Sequence, residues 1–595
     1  MITKHLDKIG LTLILLGLSS CSNLPKKPAS PVNLKAGDYR YLKKHMSWFI
    51  NKEMRKKNVV GLSIALIDDQ KIVWQQGFGF ADREKQMKAD AQTRYRAGSI
   101  SKVFTSMVVM KLVEAGKMNL DQPLVRYLPE FKIKSRFGST DKITLRTILT
   151  HHSGLPSDWA DRMWAEKPLH FTKLVTAIKE EYTGYPVNKV LSYSNLAISL
   201  LGHAVQKVSG QNYSEHMRQT LLTPMNMHHS EFALGLTGKH AAKSYRDGKA
   251  VRELPLGKIP AGGLNTTVAD LAQLAKMLNK QGKIANRQIL SPQSIKTMFT
   301  VQNKNIPLDL GNKIGLAWFV DDRTLAGKER VYGHNGATIA HRAVFAVSEK
   351  SKLGIVILSN TDSTPILNIA KELLQTAWQA KYAKKLPVIE PKPLASPLKD
   401  SAMTGTYTTI LGIINVIEKS SNRYQIKSKH GTFDLLPSKN GKLHLKYRLL
   451  GLFPIEVEKL KNVSLSVHKI DGYQVIVAER DQYRRIMGIK VEPKAISNAW
   501  RKRLGHYKIV NPQESDFTQI DSVLLKVENG FLIAQLNYAD DSDTMVLTTV
   551  NDNEAIIEGL GRRQRETIRI ITDKKGQEVI FYSGLRFKQS YVEKN

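Results

Sequence analysis

The chain has 595 residues, more than one ordinary core holds, and its 42% hydrophobic and 24% charged composition is that of a folded globular protein. That balance excludes a wholly disordered chain and a multi-span membrane protein. A formal charge of +36, from 89 basic and 53 acidic residues, favours acidic surroundings such as lipid phosphates. The basic residues are dispersed, with no zinc-finger spacing and no RNP-like aromatic motif, which argues against a nucleic-acid partner.

At the N-terminus, Lys4 and Lys8 precede an apolar run over 9–18, and Leu18-Ser19-Ser20-Cys21 follows. The run is too short to span a bilayer, and the order of charged, apolar and small residues is that of an export signal. The last four residues resemble the lipobox of bacterial lipoproteins. That resemblance implies a signal peptide over 1–21, lipidation of Cys21 and attachment to a membrane. Ser22, in place of an acidic residue, implies by the same resemblance the outer membrane of a Gram-negative envelope, facing the periplasm. Cys21 is the only cysteine, so no internal disulfide is possible. Residues 22–37, with Pro25, Lys26, Lys27 and Pro28, read as a solvated tether.

Two apolar runs, 61–67 and 71–74, flank Asp68-Asp69-Gln70 in a hairpin pattern, and 343–347 and 353–358 form a second such pair. Between them the spacing predicts helices over 102–115, closed by Gly116, over 191–208, closed by Gly210, and over 268–278, followed by Gly282. Strands at both ends with helices between them predict one antiparallel sheet completed by distant parts of the chain, an α/β arrangement. Residues 381–400 contain Pro387, Pro391, Pro393 and Pro397 and no period, so a linker is expected there. From 401 to 595 the pattern is β-rich. Leu443, Leu445 and Tyr447 alternate with polar residues, and Asn440-Gly441 and Asn529-Gly530 are hairpin turns. A barrel is one form such a region takes. Gly405-Thr406-Tyr407 and Gly505-His506-Tyr507 echo each other, with duplication as one reading.

The chemistry concentrates in three places. Ser99 precedes Lys102 by three residues at the start of an apolar helix, so both side chains share one helical face, near N–H groups that favour an oxyanion. A lysine of ordinary pKa is protonated at neutral pH, so a second group is needed. Tyr193, in Tyr193-Ser194-Asn195, supplies one: beside an ammonium its phenolate is favoured, and it then acts as general base. Asn195 offers an amide to bond a substrate carbonyl and orient the lysine. The third place is His334-Asn335-Gly336-Ala337, before the strand at 343. Gly336 permits close approach of a substrate, and the Ala337 N–H completes an oxyanion hole with that of Ser99.

In this order the three motifs resemble the class C β-lactamases and the related serine esterases, D-amino-acid peptidases and DD-peptidases. Further stretches agree: Gly77-Phe78-Gly79-Phe80-Ala81-Asp82, Leu149 through Pro156, and Pro260-Ala261-Gly262-Gly263-Leu264. The resemblance covers 38–380. It implies a central antiparallel sheet with helices and a mostly helical insertion, and some relatives carry C-terminal β domains. It also implies covalent acyl transfer through Ser99 on a small ester, peptide or β-lactam, with no cofactor and no metal.

One departure bears on substrate. True β-lactamases of this class usually have lysine in the place of His334, pairing with the antibiotic's carboxylate. A neutral histidine weakens that anchor, which favours the esterase and D-peptidase branches. For His334 a hydrogen-bonding or proton-relay role is expected, with activity changing between about pH 5 and about 8. His151 and His152 lack a third ligand and are expected to pack a loop; His228 and His229 follow a Met-bearing turn that fills a core gap. Two rival readings stand: a receptor that is acylated without turnover, and a surface interaction protein with a vestigial hydrolase domain. Oligomeric state is left open by the sequence.

Overall fold

Strand Gly61–Asp68 sits in the middle of an eight-stranded antiparallel sheet because neighbours come to it from both ends of the domain. On one side it pairs with Lys71–Asp82, and on the other with Leu353–Ser359, in the register Ile64 opposite Ile357. The order continues outward through Arg342–Ser348, Val331–Ala337 and Phe319–Asp321 to Lys313–Ile314. Both faces of the central strands are covered, which is why they read as continuous apolar runs. Leu62, Ile64, Leu66, Ile355 and Ile357 pack under helices Arg40–Lys56 and Ile366–Tyr382. Ala65, Ile67, Val356 and Leu358 point the other way, into a larger core shared with helices Ser101–Glu114, Asn195–Ser209 and Val268–Asn279. Each such buried Leu or Ile contributes roughly 1.5–3 kcal/mol. The computed structural model describes residues 26–33, 35–388 and 403–590, the last with breaks at 410–411, 421–422, 430, 438–442, 450–452, 456–462, 481–482, 512–519 and 539–541. Cys21 and its lipobox, Pro391, Pro393 and Pro397 of the expected linker, and the Asn440-Gly441 turn lie outside the described residues.

The helix predicted from 191 begins only at Asn195. Ser194 has extended backbone, and its hydroxyl accepts the Ala197 N–H, so it caps the helix and leaves Leu191, Ser192 and Tyr193 in a separate segment. That segment is held by other partners: the Leu191 N–H donates to Asp309 Oδ1 at 2.8 Å and the Ser192 N–H to the His151 carbonyl at 2.9 Å. Gly116 and Gly210 end their helices at φ +67° and +70°, where a side chain is disfavoured.

The β-rich region forms two barrels. In the first, strands from Gly405–Thr409 to Tyr483–Lys490 close into a ring because Gly431–Pro437 also pairs with Leu443–Leu449. The second is an eight-stranded closed barrel from Gly505–Ile509 to Leu585–Gln589, with Trp500 buried at its end and its indole donating to the Asn551 carbonyl at 2.8 Å. The Gly-x-Tyr echo marks the first strand of each. Tyr407 and Tyr507 are both buried, and each donates its hydroxyl to the carbonyl four residues back, of Met403 at 3.0 Å and Arg503 at 2.6 Å. Asn529 and Gly530 have positive φ and join strands paired from Glu528 to Phe531, a two-residue hairpin turn. Val475, Val477 and Ile489 of the first barrel share a core with Phe531, Ile533 and Val546 of the second and with Leu310.

Candidate active site

Strand Tyr95–Gly98 delivers the chain to helix Ser101–Glu114 through a turn at Ser99. Gly98 makes that turn at φ +52°, and a Cβ there would lie 2.9 Å from the Ala337 nitrogen. Opposite it, a Cβ on Gly336 would lie 1.9 Å from the Ala97 carbonyl oxygen and 3.2 Å from the Ser99 nitrogen. Both glycines therefore allow the end of strand Val331–Ala337 to run against the nucleophile turn, with the Ala337 and Ser99 backbones on one side of the site.

Lys102 is fully buried, and its Nζ reaches Ser99 Oγ at 3.1 Å and the Ala261 carbonyl at 2.7 Å. Burial, and next the positive charge of Arg562, hold its pKa well below the usual lysine range. The half-buried Tyr193 lies with its ring centre 4.9 Å from Lys102 Nζ, and burial pushes its phenol up, against the opposing effects of its hydrogen bond to Ser99 and of Arg562. The sequence suggested a phenolate beside an ammonium; in the folded site burial disfavours both charged forms, and the lysine amine lies 3.1 Å from the serine hydroxyl.

His334 is buried, and its Nδ1 lies 2.6 Å from the Asn335 carbonyl. Nδ1 therefore carries the proton and Nε2 presents a lone pair, buried without a partner among the described residues. Burial, then the neighbouring Lys102, hold its pKa down at about 3. The expected titration between about pH 5 and about 8 therefore does not belong to His334. Asn195 donates its amide N–H to Asp158 Oδ1 at 2.9 Å, so its nitrogen is engaged within the site wall.

The two adjacent loop histidines part company. His152 pairs with Asp309 at 2.9 Å in the interior, the packing role expected of it. His151 differs from that expectation. Its ring lies 4.2 Å from that of Tyr193, its Nδ1 accepts the Ser194 N–H at 3.2 Å, and its Nε2 is buried and unpartnered among the described residues.

Three further residues escaped the sequence reading. Asp158 is buried beside Asn195 and receives Lys258 Nζ at 3.1 Å and Arg562 Nη2 at 2.7 Å. Those two cations hold its carboxyl far below the usual range against the effect of burial. Asp158 lies in the loop after Pro156, Lys258 precedes the Pro260 motif, and Arg562 comes from the second barrel. No motif spacing connects them.

The family model described as Beta-lactamase matches residues 47–375. The chain belongs to the beta-lactamase family. Protein flp of Staphylococcus aureus is 25% identical over 335 residues, covering 54% of this chain and 64% of that protein, so the chain spans less than two thirds of that relative. The structure of an octameric penicillin-binding protein homologue from Pyrococcus abyssi is similar to 75% of this chain and 99% of its own, with a TM-score of 0.51 and 23% identity. That of EstCE1, described as a hydrolase with promiscuous acyltransferase activity, covers 57% of this chain and 98% of its own at a TM-score of 0.50 and 18% identity. These likenesses establish the fold. The beta-lactamase-family segment contains Ser99, Lys102, Tyr193, Asn195, His334, Gly336 and Ala337, whereas Arg562 lies outside it.

Proposed function

We propose that the protein is an exported serine hydrolase that cleaves esters or amides through an acyl-enzyme on Ser99. The observation that carries this is a buried lysine amine 3.1 Å from a serine hydroxyl at a helix start. The substrate carbonyl oxygen sits between the Ser99 and Ala337 N–H groups. Ser99 Oγ bonds to the carbonyl carbon while its proton passes to Lys102 Nζ. As the tetrahedral intermediate collapses, the bond to the leaving oxygen or nitrogen breaks, and the leaving group takes its proton from the Lys102 ammonium or, in relay, the Tyr193 phenol. Water then enters by the same route in reverse and frees the acid. With His334 neutral, the position offers no charge for a β-lactam carboxylate, which supports an ester or peptide substrate over a dedicated β-lactamase role.

In this reading the signal segment is cleaved at the lipobox, Cys21 is lipidated as the mature N-terminus, and residues 22–37 tether the chain to the outer membrane. The hydrolase domain takes 38–380 and the linker 381–400, and the two barrels within 401–595 are copies of one unit. The order of the N-terminal segments and the shared Gly-x-Tyr opening support these assignments. The test is steady-state hydrolysis of a short-chain p-nitrophenyl ester. Ser99→Ala is expected to reduce turnover to background and Lys102→Ala by roughly a thousandfold. Full turnover in Ser99→Ala overturns the assignment, and acylation of the wild type without turnover moves it to the receptor reading.

A further inference from the structure

The second barrel places a cation at the mouth of a site whose motifs all lie elsewhere in the chain. Its loop 558–566 joins strands Glu554–Ile557 and Thr567–Thr572 and docks on the hydrolase domain. Neutral contacts and one carboxylate fix it there. Tyr185 donates its hydroxyl to the Gly561 carbonyl and accepts the Gly561 N–H, at 3.1 and 2.9 Å. The Arg563 N–H donates to Ser157 Oγ at 2.8 Å, and Glu566 accepts the Ser157 N–H at 2.8 Å. The loop is thus anchored on either side of Arg562, whose own side chain reaches Asp158.

That side chain is 44% exposed, with its guanidinium carbon 5.3 Å from the centre of the Tyr193 ring and one nitrogen 2.7 Å from Asp158. Asp158 also pairs with buried Lys258 at 3.1 Å and feels the charge of Arg563, so three cations surround it, with buried Glu566 the other nearby acid. The Asn195 amide also donates to Asp158, at 2.9 Å. The position of His334 supplies no charge. A planar guanidinium with free donors beside an aromatic ring is suited to a carboxylate.

We propose that Arg562 anchors a substrate carboxylate, and that the preferred substrates are esters or amides whose acyl or leaving part carries a free carboxylate group. This rests on the Ser99 hydrolase reading. It also gives the barrel a part in the reaction: a domain outside the beta-lactamase-family segment selects what reaches Ser99.

The test compares two esters on the full chain, p-nitrophenyl hexanoate and the p-nitrophenyl monoester of pimelic acid, which differ by a terminal carboxylate. The wild type is expected to favour the carboxylate ester in kcat/KM by about tenfold, as a partly exposed charge pair allows. In Arg562→Ala that ratio falls to near one through a higher KM for the charged ester, Arg562→Lys retains part of it, and Arg562→Glu inverts it. A ratio that is the same in all four proteins overturns the anchor. Equal turnover of both esters by the wild type also overturns it while leaving the Ser99 reading intact, whereas turnover of neither ester defeats both. A rise in KM of equal size for both esters in Arg562→Ala would reveal loop disruption in place of charge recognition, and would likewise overturn the proposal.

Discussion

Removing the Arg562 charge is expected to move the acid limb of activity to higher pH, because that charge helps hold the Lys102 pKa down. Lys102 Nζ and the Arg562 guanidinium carbon lie 4.9 and 5.3 Å from the centre of the same ring, so the two charges stand within roughly 10 Å of each other. At that separation a unit charge contributes about 1.7 kcal/mol at an effective dielectric of ~20. The Arg562 side chain is 44% exposed, and solvent screening cuts this to about 0.7 kcal/mol. The sign follows from the base being the uncharged amine. Without the neighbouring cation the Lys102 pKa rises, and the fraction of neutral base at a given pH falls. The assay is kcat/KM for neutral p-nitrophenyl hexanoate from about pH 5 to about 9 at constant ionic strength, in wild type and Arg562→Ala. The limb should move up by about half a pH unit. A limb that stays in place, or moves down, would refute the idea that a neutral Lys102 is the base.

Three other outcomes follow from the geometry. With its pKa held at about 3, His334 stays neutral through the working range, so His334→Gln should lower turnover yet leave the acid limb where it was; a limb lost in that variant would return the titration to His334. Gly336→Ala places a Cβ 1.9 Å from the Ala97 carbonyl oxygen and pushes the strand off the Ser99 turn, so labelling of Ser99 by a fluorophosphonate should slow by roughly a hundredfold with little loss of secondary structure by circular dichroism. Glu566 is buried and its pKa is raised, mainly by burial, so its carboxyl ionises more readily in the unfolded chain. Its contribution to stability is complete below the unfolded carboxylate pKa and is lost as pH rises through the folded value. Over that window Tm should decline less steeply in Glu566→Gln than in the wild type, and identical slopes would count against it.

What was legible in the sequence depended on whether the decisive forces were local. The central strands were readable as apolar runs because both faces are covered, and the helix ends were marked by Gly116 and Gly210, whose positive φ a local signal announces. The Ser99 turn and Lys102 were readable because three residues on a helix fix their juxtaposition. The start of helix Asn195–Ser209 was misjudged because apolar Leu191 sits in a segment tied down by Asp309 and His151, partners invisible to periodicity. Reference pKa values describe Lys102, Tyr193 and His334 as they are in water, and burial moves each of them toward its uncharged form. Asp158 and Lys258 stand 100 residues apart within the hydrolase segment, and Arg562 reaches them only because the barrel loop docks on Ser157 and Tyr185. Of the two adjacent histidines, nothing local says that His152 turns to Asp309 and His151 to Tyr193.

The central claim, a covalent acyl-enzyme on Ser99, is tested most directly by acid-quenching the protein during turnover of a p-nitrophenyl ester and mapping the trapped acyl group by peptide mass spectrometry. The account predicts one acyl group per chain, on the peptide containing Ser99, absent in Ser99→Ala. Turnover with the acyl group on another residue, or an adduct that persists in Ser99→Ala, would contradict it.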